Sequence, residues 1–329
     1  MTDIAVIILT KDEKLHIGRC LERLAALSPR QVFVVDCFST DGTQDIARHF
    51  AQNDKMGQTH FIISSSDEAP RLMPLAEAVE TVVHRQVAAG SNPSTRESIP
   101  NAVLERKGGG NGIFLVEHEW PGNQAAQFQW ALDNLPIEAK WILRIDADEY
   151  LTDELIAEIR TKLPQLDDDV DGVVLKRRHV VGWLNNRWIK RGMYPTKILR
   201  LFRKGYGRSD MKVMDEHIVV QRRVVEFEHD FVDHSLISFE AWKEKHRKYA
   251  KREAQSYLSG ERSTGEKAAK KDAYYKLPRY FRAVAYFGIR YFLKLGFLDG
   301  LPGFRWHFWH GLWYRWLVDR EIGKINKMS

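Results

Sequence analysis

An α/β fold built on a mostly parallel sheet is what the sequence predicts, and three observations predict it. Ile4 to Leu9, "IAVIIL", and Gln31 to Asp36, "QVFVVD", are short β-branched runs of the kind that form strands buried on both faces. A segment of mainly helical spacing lies between them, where "LHIGRCLERLAAL" carries Leu15, Leu21, Leu24 and Leu27. Strand alternating with helix implies parallel pairing with right-handed crossovers. Finally, polar clusters follow successive strands, and an open parallel sheet binds its ligands beyond the carboxyl ends of its strands.

The elements follow in order. After the second strand, "STDGT" from Ser39 to Thr43 is a turn with Gly42 and a threonine cap, and "TQDIARHFAQ" continues as a helix. From about residue 54 to 111 the chain is rich in Ser, Pro and Gly. That stretch reads as a partly disordered insertion, with one helix, "PLAEAVETVVHRQVAA", between mobile arms. The rhythm resumes with "IFLVE", "NQAAQFQWALDN" and "WILRID" as strand, helix and strand. Thr152 then caps the helix "DELIAEIRTKL", with Asp153 and Glu154 at its positive end. "GVVLKRRHVV" and "KILRLFRK" read as two half-exposed strands, and "FEAWKEKHRKYAKREAQSYL" as a basic helix. The expected division is a catalytic domain over 1–235 and a helical, aromatic-rich extension over 236–329.

Composition narrows the class. With 44% hydrophobic and 29% charged residues the chain buries a real core. A net charge of +6 suits an anionic partner such as a nucleotide, anionic lipid or nucleic acid. The opening stretch has neither a basic leader nor a spanning apolar run, so no signal or membrane span is expected there. Cys20 and Cys37 are the only cysteines, which excludes a disulfide framework; both sit in apolar elements, as core residues do.

The chemistry-bearing clusters are Thr10-Lys11-Asp12-Glu13, then Asp36 with Ser39, Asp41 and Thr43, then Asp146-Ala147-Asp148-Glu149. They are expected to converge at one rim. Three carboxylates crowded behind "WILRI" repel one another and need a neutraliser. A hard divalent cation, Mg2+ or Mn2+, is the expected one, because it takes one or two carboxylates and completes its shell with substrate phosphates.

At these residues the sequence resembles the family-two glycosyltransferases, in the branch that builds bacterial lipopolysaccharide cores and surface polysaccharides. The resemblance is carried by "IILTKDEKLHIGRCLERL", "VFVVDCFSTDGT", "WPGNQAAQFQWAL", "WILRIDADEYL", "GMYPTKILRLFRKG" and "MDEHIVV". It implies the GT-A fold, a Rossmann-like, mostly parallel sheet flanked by helices. It also implies inverting transfer of a sugar from a nucleotide-diphosphate donor, a UDP-sugar foremost, to a lipid-linked or glycan acceptor. Thr10, Asp12, Glu13, Asp36, Ser39, Asp41, Thr43, Gln127 and Asp146 are implied donor-binding residues. Asp36 would meet base or ribose, and Asp146 and Asp148 the metal. His234 occupies a place where the fold offers a histidine near the metal or the diphosphate. Glu216, with Asp215 beside it, is the implied base that deprotonates the acceptor hydroxyl. The chain departs from the family pattern in its long insertion and in Gln129, which stands where an Asn is usual.

The last third is crowded with aromatics and basic residues but holds no uncharged run of about 18 residues. Arg282, Arg290 and Lys294, with Trp306, Trp309, Trp313 and Trp316, read as a basic amphipathic segment lying on anionic lipid. The expected location is therefore peripheral, on the cytoplasmic face of the inner membrane, with no nucleic acid as partner. Two other readings compete with the transferase: a nucleotidyltransferase acting on a sugar phosphate, and a non-enzymatic basic module binding lipid or nucleic acid. The first lacks a Gly-rich phosphate loop after strand one, and the second leaves the strand-end acids unexplained.

Overall fold

Strand β1, Thr2–Thr10, is buried along seven consecutive residues because it pairs on both sides, with β2 (Pro29–Asp36) and β6 (Trp141–Asp146), both parallel. The computed structural model describes residues 1–53, 60–63, 71–74, 112–210, 217–259 and 272–328. In chain order the first unit continues with α1 (Ile17–Leu27), α2 (Thr43–Asn53), β3 (His60–Ile63), β4 (Arg71–Pro74) and β5 (Gly112–Glu117). Next come α3 (Gln124–Asn134), β7 (Glu149–Leu151), α4 (Asp153–Lys162), β8 (Val170–Val181), β9 (Arg187–Trp188) and β10 (Thr196–Arg203). A separate hairpin, β11 (Gly207–Ser209) with β12 (Ile218–Val220), precedes the long strand β13 (Arg223–Ser235).

The main sheet has the order β4-β3-β5-β2-β1-β6-β10-β8-β13-β7, with β9 on β8. Its central pairs are parallel, while β4 on β3 and β10 on β6 are antiparallel. This is the mixed, mostly parallel α/β architecture that the strand and helix pattern predicts. The core of this unit stacks Phe33 on Phe114, centroids 4.9 Å apart, and sets Phe128 edge-on to Phe202 at 6.3 Å. Thr152 caps α4 as expected, its hydroxyl accepting from Leu155 N at 3.2 Å.

Between α2 and β5 the structure corrects the sequence reading. The sheet does not pause there: His60–Ile63 pairs parallel with β5, and Arg71–Pro74 returns antiparallel beside it. Four residues give too short a pattern for period-two alternation to register, and Pro74 suits the edge position of β4. The helix expected around residues 74–89 lies outside the described residues.

The chain forms two compact units. The first comprises the described residues of Met1–Leu175, Leu199–Met211 and His217–His229, and the second those of Lys176–Ile198 and Asp230–Ser329. Helix α5, Phe239–Leu258, opens the helical part of the second unit, capped by Ser238. Helices α6 (Phe281–Gly288), α7 (Gly300–Trp306) and α8 (Tyr314–Met328) follow, with π-helical turns at Ile289–Leu293 and His307–Trp313. Here the expected stripe of exposed cations is overturned. Arg282 and Arg290 are buried, Arg282 on Asp319 and Arg290 against His310, while Phe281, Val284, Phe292 and Leu293 are exposed. Trp306 is likewise buried, packed with Trp242, Leu184 and Ile189. Among the described residues no helix is long and apolar enough to cross a membrane.

Candidate active site

Register places the site. Thr10 stands beside Asp36, Asp36 beside Glu117, and Leu9 beside Asp146, so four strands end side by side. Two backbone bonds carry the ladder one step further, Cys37 N to Thr10 O at 3.0 Å and His118 N to Asp36 O at 2.9 Å. The three polar clusters therefore do meet on one rim, and His118 adds a fourth strand end.

The loops after β1 and β2 are laced together by side chains. Asp36 is wholly buried and accepts four bonds: Thr10 Oγ1 at 2.7 Å, Ser39 N at 2.7 Å, Ser39 Oγ at 2.6 Å and Gln44 Nε2 at 2.7 Å. Both carboxylate oxygens of Asp36 thus take donors from the protein itself. Ser39 Oγ in turn accepts from Asp12 N at 2.7 Å, and Asp12 Oδ1 accepts from Thr40 N at 3.0 Å. Thr43 Oγ1 accepts from Glu13 N at 2.8 Å and donates to Asp41 Oδ1 at 2.5 Å. Asp41 Oδ2 takes Lys14 N at 3.0 Å. Burial tends to raise the Asp41 pKa, but the bonds from Thr43 and Lys14 outweigh it and hold the carboxyl below its usual range. Phe38 sits in the left-handed region, φ 55°, with its carbonyl held by Lys11 Nζ at 2.8 Å and its ring 39% exposed.

At the end of β6 the crowded carboxylates have a protein neutraliser that sequence reading missed. Arg200, buried on β10, donates to Asp146 Oδ2 at 2.9 Å and to Glu149 Oε1 at 2.5 Å. Burial alone would lower the Arg200 pKa; Glu149 and Asp146 raise it above the ordinary arginine value, so the guanidinium stays charged. Glu149 Oε2 also accepts from Asp146 N at 2.9 Å, bending the chain so that Asp146 and Asp148 remain partly exposed beyond the strand.

Comparison with known proteins bears on these loops. Residues 5–66, which carry the laced β1 and β2 ends, match the family model described as glycosyl transferase family 2. By that match the chain is a glycosyltransferase. It resembles family two, and its sheet and flanking helices are those of the GT-A fold. No curated protein matches the sequence. Two solved structures align loosely with this glycosyltransferase. TarS residues 1–349 from S. aureus aligns at 13% identity and a TM-score of 0.35, over 100% of this chain and 92% of that one. HddC from Yersinia pseudotuberculosis aligns at 10% identity and a TM-score of 0.28, over 73% of this chain and 96% of that one.

Within the glycosyltransferase, the structure sorts the expected residues. Thr10, Asp12, Glu13, Asp36, Ser39, Asp41 and Thr43 share one network, and Asp146 ends the strand next to β1. Gln127 turns inward instead: it is buried and donates to Cys37 Sγ, whose thiol burial pushes up to about 11. Gln124, one helical turn earlier, is the glutamine at the acids, 3.5 Å from Asp146 Oδ1. His229 Nδ1 lies 2.9 Å from Glu158, His217 N donates to Asp210, and His234, in the second unit, has its Nε2 2.8 Å from Asn186 Oδ1. Arg177 and Arg178 on β8 pair with Asp233 and Asp230. Asp215 and Glu216 lie outside the described residues.

Among the described residues no group of three or more His, Cys, Asp or Glu is arranged to hold a metal. The chemistry of the donors nevertheless fits a hard cation. Two partly exposed carboxylates at one strand end suit an ion that takes few protein oxygens and keeps places for phosphates.

Proposed function

We propose that this glycosyltransferase moves a sugar, with inversion, from a nucleotide-diphosphate donor to a lipid-linked or lipopolysaccharide-type glycan acceptor at the cytoplasmic face of the membrane. The observation that carries the reading is the alignment of Thr10, Asp36 and Asp146 at adjacent strand ends. The laced β1 and β2 loops offer the nucleotide a preformed wall, with Asp12 and the Phe38 ring at its surface. Asp36 acts there as the organiser of the wall.

Asp146 and Asp148 would hold Mg2+ or Mn2+. When bound, the ion supplies positive charge against the charge that grows on the leaving diphosphate. Arg200 fixes the Asp146 carboxylate in orientation. His234, the third expected ligand, would have to leave Asn186. Glu216 is assigned as the base that takes the acceptor's hydroxyl proton, with Asp215 as its neighbour in that role.

A membrane setting is favoured by the inverted polarity of α6, which exposes Phe281 and Val284 and buries Arg282. Lys294 beside Leu293 supplies an exposed cation for an anionic surface. The test is nucleotide release from a panel of nucleotide sugars in manganese, followed by product analysis with lipid extracts as acceptor. Release of a nucleoside diphosphate with glycosylated lipid supports the reading; release of pyrophosphate from a nucleoside triphosphate and a sugar phosphate refutes it.

A further inference from the structure

The second unit contains a cavity of about 650 Å3 between α5, α6, α8 and the segment leading into α6. Its size is that of a small-molecule site. Its walls include Ala273, Leu277, Ala285 and Ile289, with the rings of Tyr274 and Tyr286. The charges at its floor are already paired, although Arg315 Nε itself donates to no partner among the described residues. Glu253 accepts from Arg315 at 2.6 Å, Tyr314 at 2.6 Å and Tyr275 at 3.2 Å, while the Arg282 Nε donates to Asp319 at 2.7 Å. Two guanidinium groups thus meet two carboxylates, so the floor offers an incoming ion no unmatched charge, and burying one there would be costly.

The rim points to the occupant. Leu277 and Ile289 line the cavity and are themselves exposed, 39% and 45%. They flank Phe281 and Val284, 60% and 56% exposed, so the cavity wall and the exposed apolar face of α6 belong to one short stretch of chain. A flexible apolar chain arriving from an apolar surface suits this arrangement, with its polar headgroup left at the rim, and an anion or a sugar seated on the floor does not. We infer that this cavity receives the aliphatic chain of a lipid. The inference goes beyond the proposed function; only the acceptor arm of its test rests on that reading, and chain binding itself is read without turnover.

The probe is cis-parinaric acid, a fluorescent fatty acid that brightens when its chain leaves water. The full-length protein should bind it saturably, one per chain. Ala285→Trp fills the cavity and should weaken binding by at least about tenfold, as expected when two or more methylenes are kept in water. Thermal denaturation checks that the variant folds; if it does not, Ala273→Trp at the rim decides in its place. Two sources supply such a chain, a bilayer lipid and a chain-bearing acceptor. Flotation with phosphatidylethanolamine–phosphatidylglycerol vesicles separates them. Loss of flotation in the folded variant assigns a bilayer lipid, and retained flotation with lost parinaric binding assigns the acceptor. Absence of saturable binding by the wild type, or equal binding by a folded cavity-filling variant, overturns the inference.

Discussion

Arg200 and Asp146 meet at 2.9 Å across two antiparallel strands, and the same guanidinium reaches Glu149. The end of β6 is therefore held by a protein cation before any ligand arrives. Arg200→Met should leave Glu149 buried without its partner and cost roughly 3–5 kcal/mol of stability, read by urea denaturation. Both bonds leave one nitrogen, Nη2, so Arg200→Lys keeps the charge and a donor, and its loss should be smaller. Equal stability of Arg200→Met and wild type would show that the cluster is not strained by its own charge.

The proposed metal role gives a separable expectation. Asp148→Asn should fold normally, because Asp148 is partly exposed, yet lose manganese-dependent nucleotide release by about a hundredfold or more. Excess chelator should abolish release in the wild type, and added manganese should restore it. Full release in chelator would remove the metal from the mechanism. Glu216→Gln should cut transfer at least about a hundredfold with donor affinity kept; a normal Glu216→Gln beside a crippled Asp215→Asn moves the base by one residue.

Much of this arrangement was legible because it is local. β1 and β2 announce themselves as apolar runs and β6 as one broken only by Arg144, and the residues after them had to reach one rim once the sheet was parallel. What the sequence hid depends on distant partners. Arg200 pairs with an acid 54 residues away on an antiparallel strand, a relation no periodicity encodes. Gln127 and Gln124 share a helix, and only the packing of α3 shows which turns inward toward Cys37. Arg282 resembled a solvated cation until Asp319, 37 residues on, was seen to bury it. The strands β3 and β4 were too short to outweigh the polar sequence around them.

Acid should weaken the first unit through Glu158. Burial pushes its pKa up, but bonds from Glu228 N, Lys162 and His229 prevail and bring it from 4.5 to about 2. Its folded value lies below the unfolded one, so the contribution is full above pH 4.5 and fades as pH falls toward 2. After solvent screening the contribution is on the order of 2 kcal/mol. Glu158→Gln should lower stability at neutral pH and flatten the acid limb of a stability–pH profile. An unchanged limb would assign acid sensitivity to other carboxylates.

Phe38 offers a test that separates stability from binding. A bulky residue at φ 55° carries a left-handed penalty of about 1 kcal/mol, which glycine would not. The residue is 39% exposed, so part of its ring is open to a ligand while the rest is buried. Phe38→Gly should relieve the backbone while giving the unfolded chain more freedom, two effects that oppose each other. With the buried part of the ring lost as well, stability should fall by about 1–2 kcal/mol. If the ring instead serves to stack on the donor's base, the same substitution should weaken UDP binding by roughly fivefold or more, the lower end of what an aromatic–base stack contributes. Calorimetric titration with UDP, beside thermal denaturation of the same samples, reads both. Tight UDP binding by a folded Phe38→Gly protein would exclude stacking, leaving Asp12 and the laced backbone as the nucleotide's wall.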